Sequence, residues 1–252
     1  MNDLALLARI EGRKLTTTPG LYVAAAITVL FTVVSVATST LLAGPPGSPP
    51  AASTPHVAKV LSVAALSSMV MLVLGILAIA GEHRHRTILA TYLAQPRRGR
   101  VLAAKLTVLA GVGAVFGAVT FGLALAVAVP LLATKGVHHL PVDVASMWWG
   151  ATLAGACYGL LGVGLGALTR NTVGAVIGGL AWVQIVEVGI LQSVWPSVAK
   201  WLPTGAGVAV TEAGVGDGAG LLPPAAAAVV LLTWALGLSV LATRVSARRE
   251  LR

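Results

Sequence analysis

Long stretches with at most one charged residue divide the chain into six apolar runs joined by short polar segments. The runs cover residues 21–43, 57–80, 106–133, 144–168, 172–194 and 223–243. Each reaches the length of about 20 residues that a helix needs to cross the hydrocarbon core of a membrane. The segments between them read as breaks. Residues 44–55, GPPGSPPAASTP, can form neither helix nor strand in lipid, and residues 134–143 hold Lys135, His138, His139 and Pro141. Residues 169–171 make a very short turn. Residues 195–222 are rich in Gly and Pro and contain no run long enough to span. Two short apolar pieces there, around 198–202 and 206–210, can dip into the membrane as a re-entrant pair, where protein or water surrounds their backbone. Ahead of the first run, Leu4, Leu7, Ile10 and Leu15 share a broad helical face with Arg9 and Arg13 opposite. This pattern predicts an interfacial helix over residues 1–18, ended by Pro19 and Gly20, although Glu11 and Lys14 intrude on its apolar side.

Composition narrows the class. Charged residues make up 10% of the chain, against about 25% in soluble domains, and the mean hydropathy is +0.91. That leaves too little polar surface to cover a soluble fold, so the chain reads as one all-α integral membrane domain over residues 1–252. The net charge of +9 does not point to nucleic acid, because the bases cluster in the short segments between apolar runs, as cytoplasmic loops do. With both termini, 81–105 and 169–171 placed on one side, that side carries fourteen Lys and Arg, against Lys59, Lys135 and Lys200 on the other. The bias predicts a multi-pass protein of the cell's inner (plasma) membrane with both termini cytoplasmic. No cleavable signal is expected, since residues 1–18 contain acids as well as bases. Cys157 is the only cysteine, so no intrachain disulfide can form, and its apolar surroundings predict a packed small residue.

The segment from 81 to 105, GEHRHRTILATYLAQPRRGRVLAAK, is the most distinctive. Glu82 and Arg86 are spaced to pair along a helix, Leu89 and Leu93 continue that face, and Pro96 predicts a turn at Gln95. Arg97, Arg98 and Arg100 then stand where the next apolar helix begins. A Glu after the second run, a Thr five residues on, apolar residues, a Pro beside Arg, and a Lys entering the third run fall here at Glu82, Thr87, Leu89, Pro96, Arg97, Arg98 and Lys105. In this the chain resembles the permeases of the ABC type-2 exporter family, and the six-run layout extends the likeness to nearly the whole sequence. Where that family often has Gly before the Thr, this chain has Arg86, which makes the turn more helical. The resemblance implies an elbow helix at the N-terminus, short re-entrant helices between runs five and six, and a cytoplasmic coupling helix in 81–105. That coupling helix would dock on a separate ATPase subunit through Glu82, Arg84, Arg86, Thr87, Leu89, Tyr92 and Pro96. It also implies a second permease subunit, identical or related, and ATP with Mg on the partner ATPase.

The residues themselves agree that ATP belongs elsewhere: no GxxxxGK[ST] loop occurs, so this chain holds no cofactor of its own. The arginines can alternatively contact anionic lipid and set topology. His83 and His85 lie two apart on differing helix faces with no cysteine or carboxylate triad nearby, so no metal site is expected there or at His138 and His139. Asp143, Glu212 and Asp217 sit in ordinary loop contexts, and no enzyme site is predicted. Glu187 is the most unusual residue, an acid about two-thirds along the fifth run, with Gln184 one helical turn earlier on the same face. The pair is a candidate for a translocation pathway or a subunit interface. Gly pairs four apart (113/117, 155/159, 162/166, 174/178) predict close packing of spans four and five.

The expected function is therefore the membrane subunit of an ATP-driven exporter for a drug-like, lipid or peptide substrate. A stand-alone secondary transporter or channel is a rival, as is a non-transporting permease-like protein such as an immunity or assembly factor.

Overall fold

The computed structural model describes residues 3–43, 53–84, 98–169, 171–213 and 220–248, and among these every regular element is helical. In chain order these are α1 (Asp3–Thr17), α2 (Pro19–Leu41), α3 (Thr54–Ser62), a 3₁₀ turn (Val63–Ala65), α4 (Leu66–Arg84), α5 (Arg98–Thr134), α6 (Val144–Thr169), and α7 (Thr172–Ala181). A π-helix (Trp182–Leu191), α8 (Gln192–Val194), α9 (Pro196–Ala199), α10 (Pro203–Thr211) and α11 (Pro224–Arg248) complete the series. Six helical stretches are long and apolar enough to cross a membrane: Pro19–Leu41, Thr54–Ala80, Val101–Thr134, Val144–Thr169, Thr172–Val194 and Pro224–Val245. We call them spans one to six. An even number of spans returns both termini to one end of the bundle, the terminal end; the other is the far end.

Caps mark where the helices start. Pro19 occupies the first turn of span one, where its missing N–H costs nothing. Asp143 begins span four: its Oδ1 accepts from the N–H groups of Ala145 (3.1 Å) and Ser146 (3.3 Å), and the Ser146 hydroxyl donates to its Oδ2. Those bonds from Ser146 hold the exposed Asp143 carboxyl below the ordinary carboxylate range. Asn171 opens span five by accepting from Gly174 N–H at 3.1 Å. At the far end, Lys135 donates to the carbonyls of Leu41 (3.3 Å) and Ala43 (3.2 Å), closing the C-terminus of span one.

Span four is the axis of the bundle. It packs chiefly on spans two and three, and then on span six. Glycines allow the approach. A side chain on Gly155 would strike the Gly113 carbonyl, one on Gly162 would strike the Leu72 carbonyl, and one on Gly117 would strike the Ala151 carbonyl. The expected close packing of spans four and five is thereby corrected: Gly155, Gly159, Gly162 and Gly166 of span four face spans two and three. Gly178 of span five faces open space, and Gly174 lies against Asn171 in the helix start. With little hydrophobic drive between helices in lipid, close backbone approach selects the partner.

Two further departures from the sequence pattern bear on function. The expected 81–105 loop is shorter than its sequence bounds, because span two's helix continues to Arg84 and span three's helix already begins at Arg98. Span two is also interrupted by its 3₁₀ turn, and the second half of span five is a π-helix. Both are irregularities that tend to occur at functional or strained positions.

Candidate functional site

At the terminal end, Glu82 and Arg84 fall in the last turn of α4. Arg86, Thr87, Leu89, Tyr92 and Pro96 lie outside the described residues. Beside this region the structure brings together groups that the sequence left apart. The Lys105 ammonium donates to Glu11 Oε2 at 2.5 Å, and Lys14 donates to Glu11 Oε1 at 2.8 Å. Lys105 also reaches the Ala78 carbonyl of span two at 3.4 Å. Glu11 and Lys105 are both buried, at 6% and 5% exposure.

This geometry explains why Glu11 breaks the apolar face of α1: that face meets span three, and the acid meets a lysine there. Burial pushes the Glu11 carboxyl up, but the charge and hydrogen bond of Lys105, with Lys14 behind them, outweigh it and hold the carboxyl below its usual range. The ion pair therefore supports the fold above the ordinary carboxylate value and loses that support as pH falls through the depressed one. A buried pair of this kind ties α1 to spans two and three in one register. The sequence contained the clue, an acid on an apolar face and a lysine inside an apolar run, but nothing in it said that the two meet.

Toward the far end, the structure places Glu187 inside the chain at 2% exposure. One carboxylate oxygen accepts from the Trp182 indole N–H at 2.7 Å and the other from the backbone N–H of Thr204 at 2.9 Å. Thr204 stands in the first turn of α10, where backbone N–H groups lack partners within the helix. Glu187 thus caps a helix seventeen residues further along the chain, and the helix dipole there favours an acid. The π-helix makes the arrangement possible, since its i→i+5 turn brings Trp182 and Glu187 into reach.

The same wider turn separates Gln184 from Glu187. Gln184 is exposed, so the face they were expected to share does not exist. The short helices α9 and α10 occupy the stretch where a re-entrant pair was expected. α10 is buried along most of its length against span four and span six, and the Trp234 indole donates to the Trp201 carbonyl at 2.9 Å. Thr204 carries no sequence signal, because its contribution to Glu187 is a backbone group.

A comparison of the sequence with models of known protein families gives no match, and neither does a comparison with curated proteins. Fold and site together define a membrane-type helical protein with six potential spans, a buried ion pair at the terminal end and an acid-capped short helix toward the far end.

Proposed function

We propose that this chain is the transmembrane permease subunit of an ATP-driven exporter, working as a pair of like subunits with separate ATPase subunits. In this reading the terminal end is cytoplasmic and the membrane is the cell's inner membrane. The observation that carries it is the way spans two and three approach residues 85–97. The helices of spans two and three run on to Arg84 and Arg98, both pack on the central span four, and Lys105 joins Glu11 of α1 to the Ala78 carbonyl of span two. A partner seated on 81–105 would then move spans two and three together with α1 as one lever.

The fourteen-to-three bias of basic residues supports the cytoplasmic placement. The exposed apolar faces of spans one and five, with Leu30, Phe31, Ile177 and Ile185 outward, suit lipid and a second permease subunit. Glu187 enters as the anchor of α9 and α10, a re-entrant pair in this reading, since both its oxygens are engaged within the chain. That engagement weighs against a secondary transporter, which needs ionisable groups open to a route.

The test is purification of the tagged protein from mild detergent, with and without residues 82–95, scored for a co-purifying ATPase. An ATPase that accompanies the full chain and is lost with the deletion, from protein that still elutes as one folded species, is the expected result. Absence of an ATPase from the full chain would refute the proposal.

A further inference from the structure

Toward the far end a cavity of about 270 Å³ opens between span two, span four and α10. Val63, Ala65, Leu66 and Met69 line it from span two, Ala154 and Tyr158 from span four, and Thr204, Gly207 and Val208 from α10. It forms where the 3₁₀ turn at Val63–Ala65 interrupts span two, and where Gly207 leaves room for the Tyr158 ring.

Five buried side-chain polar atoms lack a well-formed hydrogen bond among the described residues, and two of them, Ser68 Oγ and Thr204 Oγ1, belong to this one lining, where the Tyr158 hydroxyl interacts with Thr204. Both residues are more than nine-tenths buried, at 4% and 6% exposure. An unsatisfied buried hydroxyl costs about 1–3 kcal/mol, so two around one cavity mark a place built to be filled. Thr204 is also held in position by its N–H bond to Glu187.

Among the lining residues the one charged side chain is Lys59, and the Glu187 carboxylate stands behind the lining on the Thr204 N–H. Lys59 lines the cavity from nine residues before Ser68, roughly 14 Å along the helix. Glu212 lies near it beside Ser62. Burial pushes the Glu212 carboxyl up from its usual range against the opposing pull of the Ser62 hydroxyl and Lys59. Around Ser68 and Thr204 the lining offers hydroxyls, and both Glu187 oxygens are already engaged by Trp182 and the Thr204 N–H, so a further buried charge would be unpaired there.

We infer that this cavity is a binding site for a small uncharged amphiphile, with an apolar body and a hydroxyl or carbonyl end seated against Ser68 and Thr204. Hydroxyls donate and accept, so they match either end group. Walls of Val63, Leu66, Met69 and Val208 match the body, and apolar walls with a few placed polar groups are the usual make-up of a small-molecule site. The lining named belongs to one chain, so the inference goes beyond the exporter reading and does not depend on an ATPase.

The experiment uses the full chain in lipid nanodiscs and 1-octanol carrying a diazirine as photolabel, with labelled peptides mapped by mass spectrometry and unlabelled octanol as competitor. Saturable, competed labelling of peptides containing Val63–Met69 or Thr204–Val208 is expected. Thr204→Val and Ser68→Ala together should raise the half-labelling concentration about tenfold, while raising the unfolding temperature without the probe, because two orphan hydroxyls are removed. Thr204→Val alone keeps the side-chain shape and the N–H to Glu187, and should show part of both effects if the double variant does not fold. Labelling that does not saturate, or that spreads along the lipid-facing spans, would overturn the inference. So would an unfolding temperature that falls in both variants, the signature of hydroxyls already satisfied by structural water or, for Thr204, by the Tyr158 hydroxyl.

Discussion

Spans four and five are neighbours in the chain and nearly equal in the mean hydropathy of an 18-residue apolar stretch, 1.6 and 1.8, yet 67% of that stretch is buried within the chain in span four against 22% in span five. What separates them is side-chain size at one face. Span four carries Gly155, Gly159, Gly162 and Gly166 where spans two and three come closest, and its backbone lies directly on theirs. Span five turns Val173, Ile177, Trp182 and Ile185 outward. Hydropathy reports how well a helix suits lipid, and both suit it. The interior place goes to the helix that lets other backbones approach. Span five is attached at points instead: through Ala175, Val176 and Val183 to the core shared with spans two and four, and through Glu187 to α10 toward the far end.

That contrast can be broken by moving bulk from one span to the other. Gly155→Leu should cost more than about 3 kcal/mol, since backbone blocks the added side chain and neither helix can yield. Gly178→Leu on span five, which meets open space, should stay within about 0.5 kcal/mol. Thermal unfolding in detergent followed by size-exclusion chromatography reads both, and a tolerated Gly155→Leu would end the account of span four as the packed axis.

A smaller effect sharpens the picture of span five. Glu187→Ala should cost about 1–3 kcal/mol by leaving the buried Thr204 N–H without its partner. Gln184→Ala should cost almost nothing. Limited proteolysis between spans five and six offers a second readout, since α10 loses its cap and residues 195–222 should become cleavable; equal behaviour of the two variants would sink the capping role. Smallest of the three, Asn171→Ala removes the bond to Gly174 N–H and should cost about 1 kcal/mol. Hydrogen exchange at the first turn of α7 should register it with little change elsewhere.

Six runs of apolar residues were legible without any coordinates, because a membrane leaves helical backbone few alternatives and the length needed to cross is fixed. The breaks at Pro19 and in 44–55, the oddity of Glu187 and the misplaced polarity of Glu11 were visible in the same way. Partners were not visible. Glu11 meets Lys105 across ninety-four residues, and Glu187 meets a backbone N–H that any residue except proline could supply at position 204. The i+3 spacing of Gln184 and Glu187 misled, because an α-helical period does not hold in a π-helix. The glycine spacing marked close packing but not its partner, which depends on which helices the short turns bring together. What the sequence by itself determined is which segments belong in lipid, since that follows from local composition and length. Which faces meet, which acid caps which helix and where a cavity remains were decided only by the tertiary structure, because those depend on side chains and backbone groups far apart in the chain.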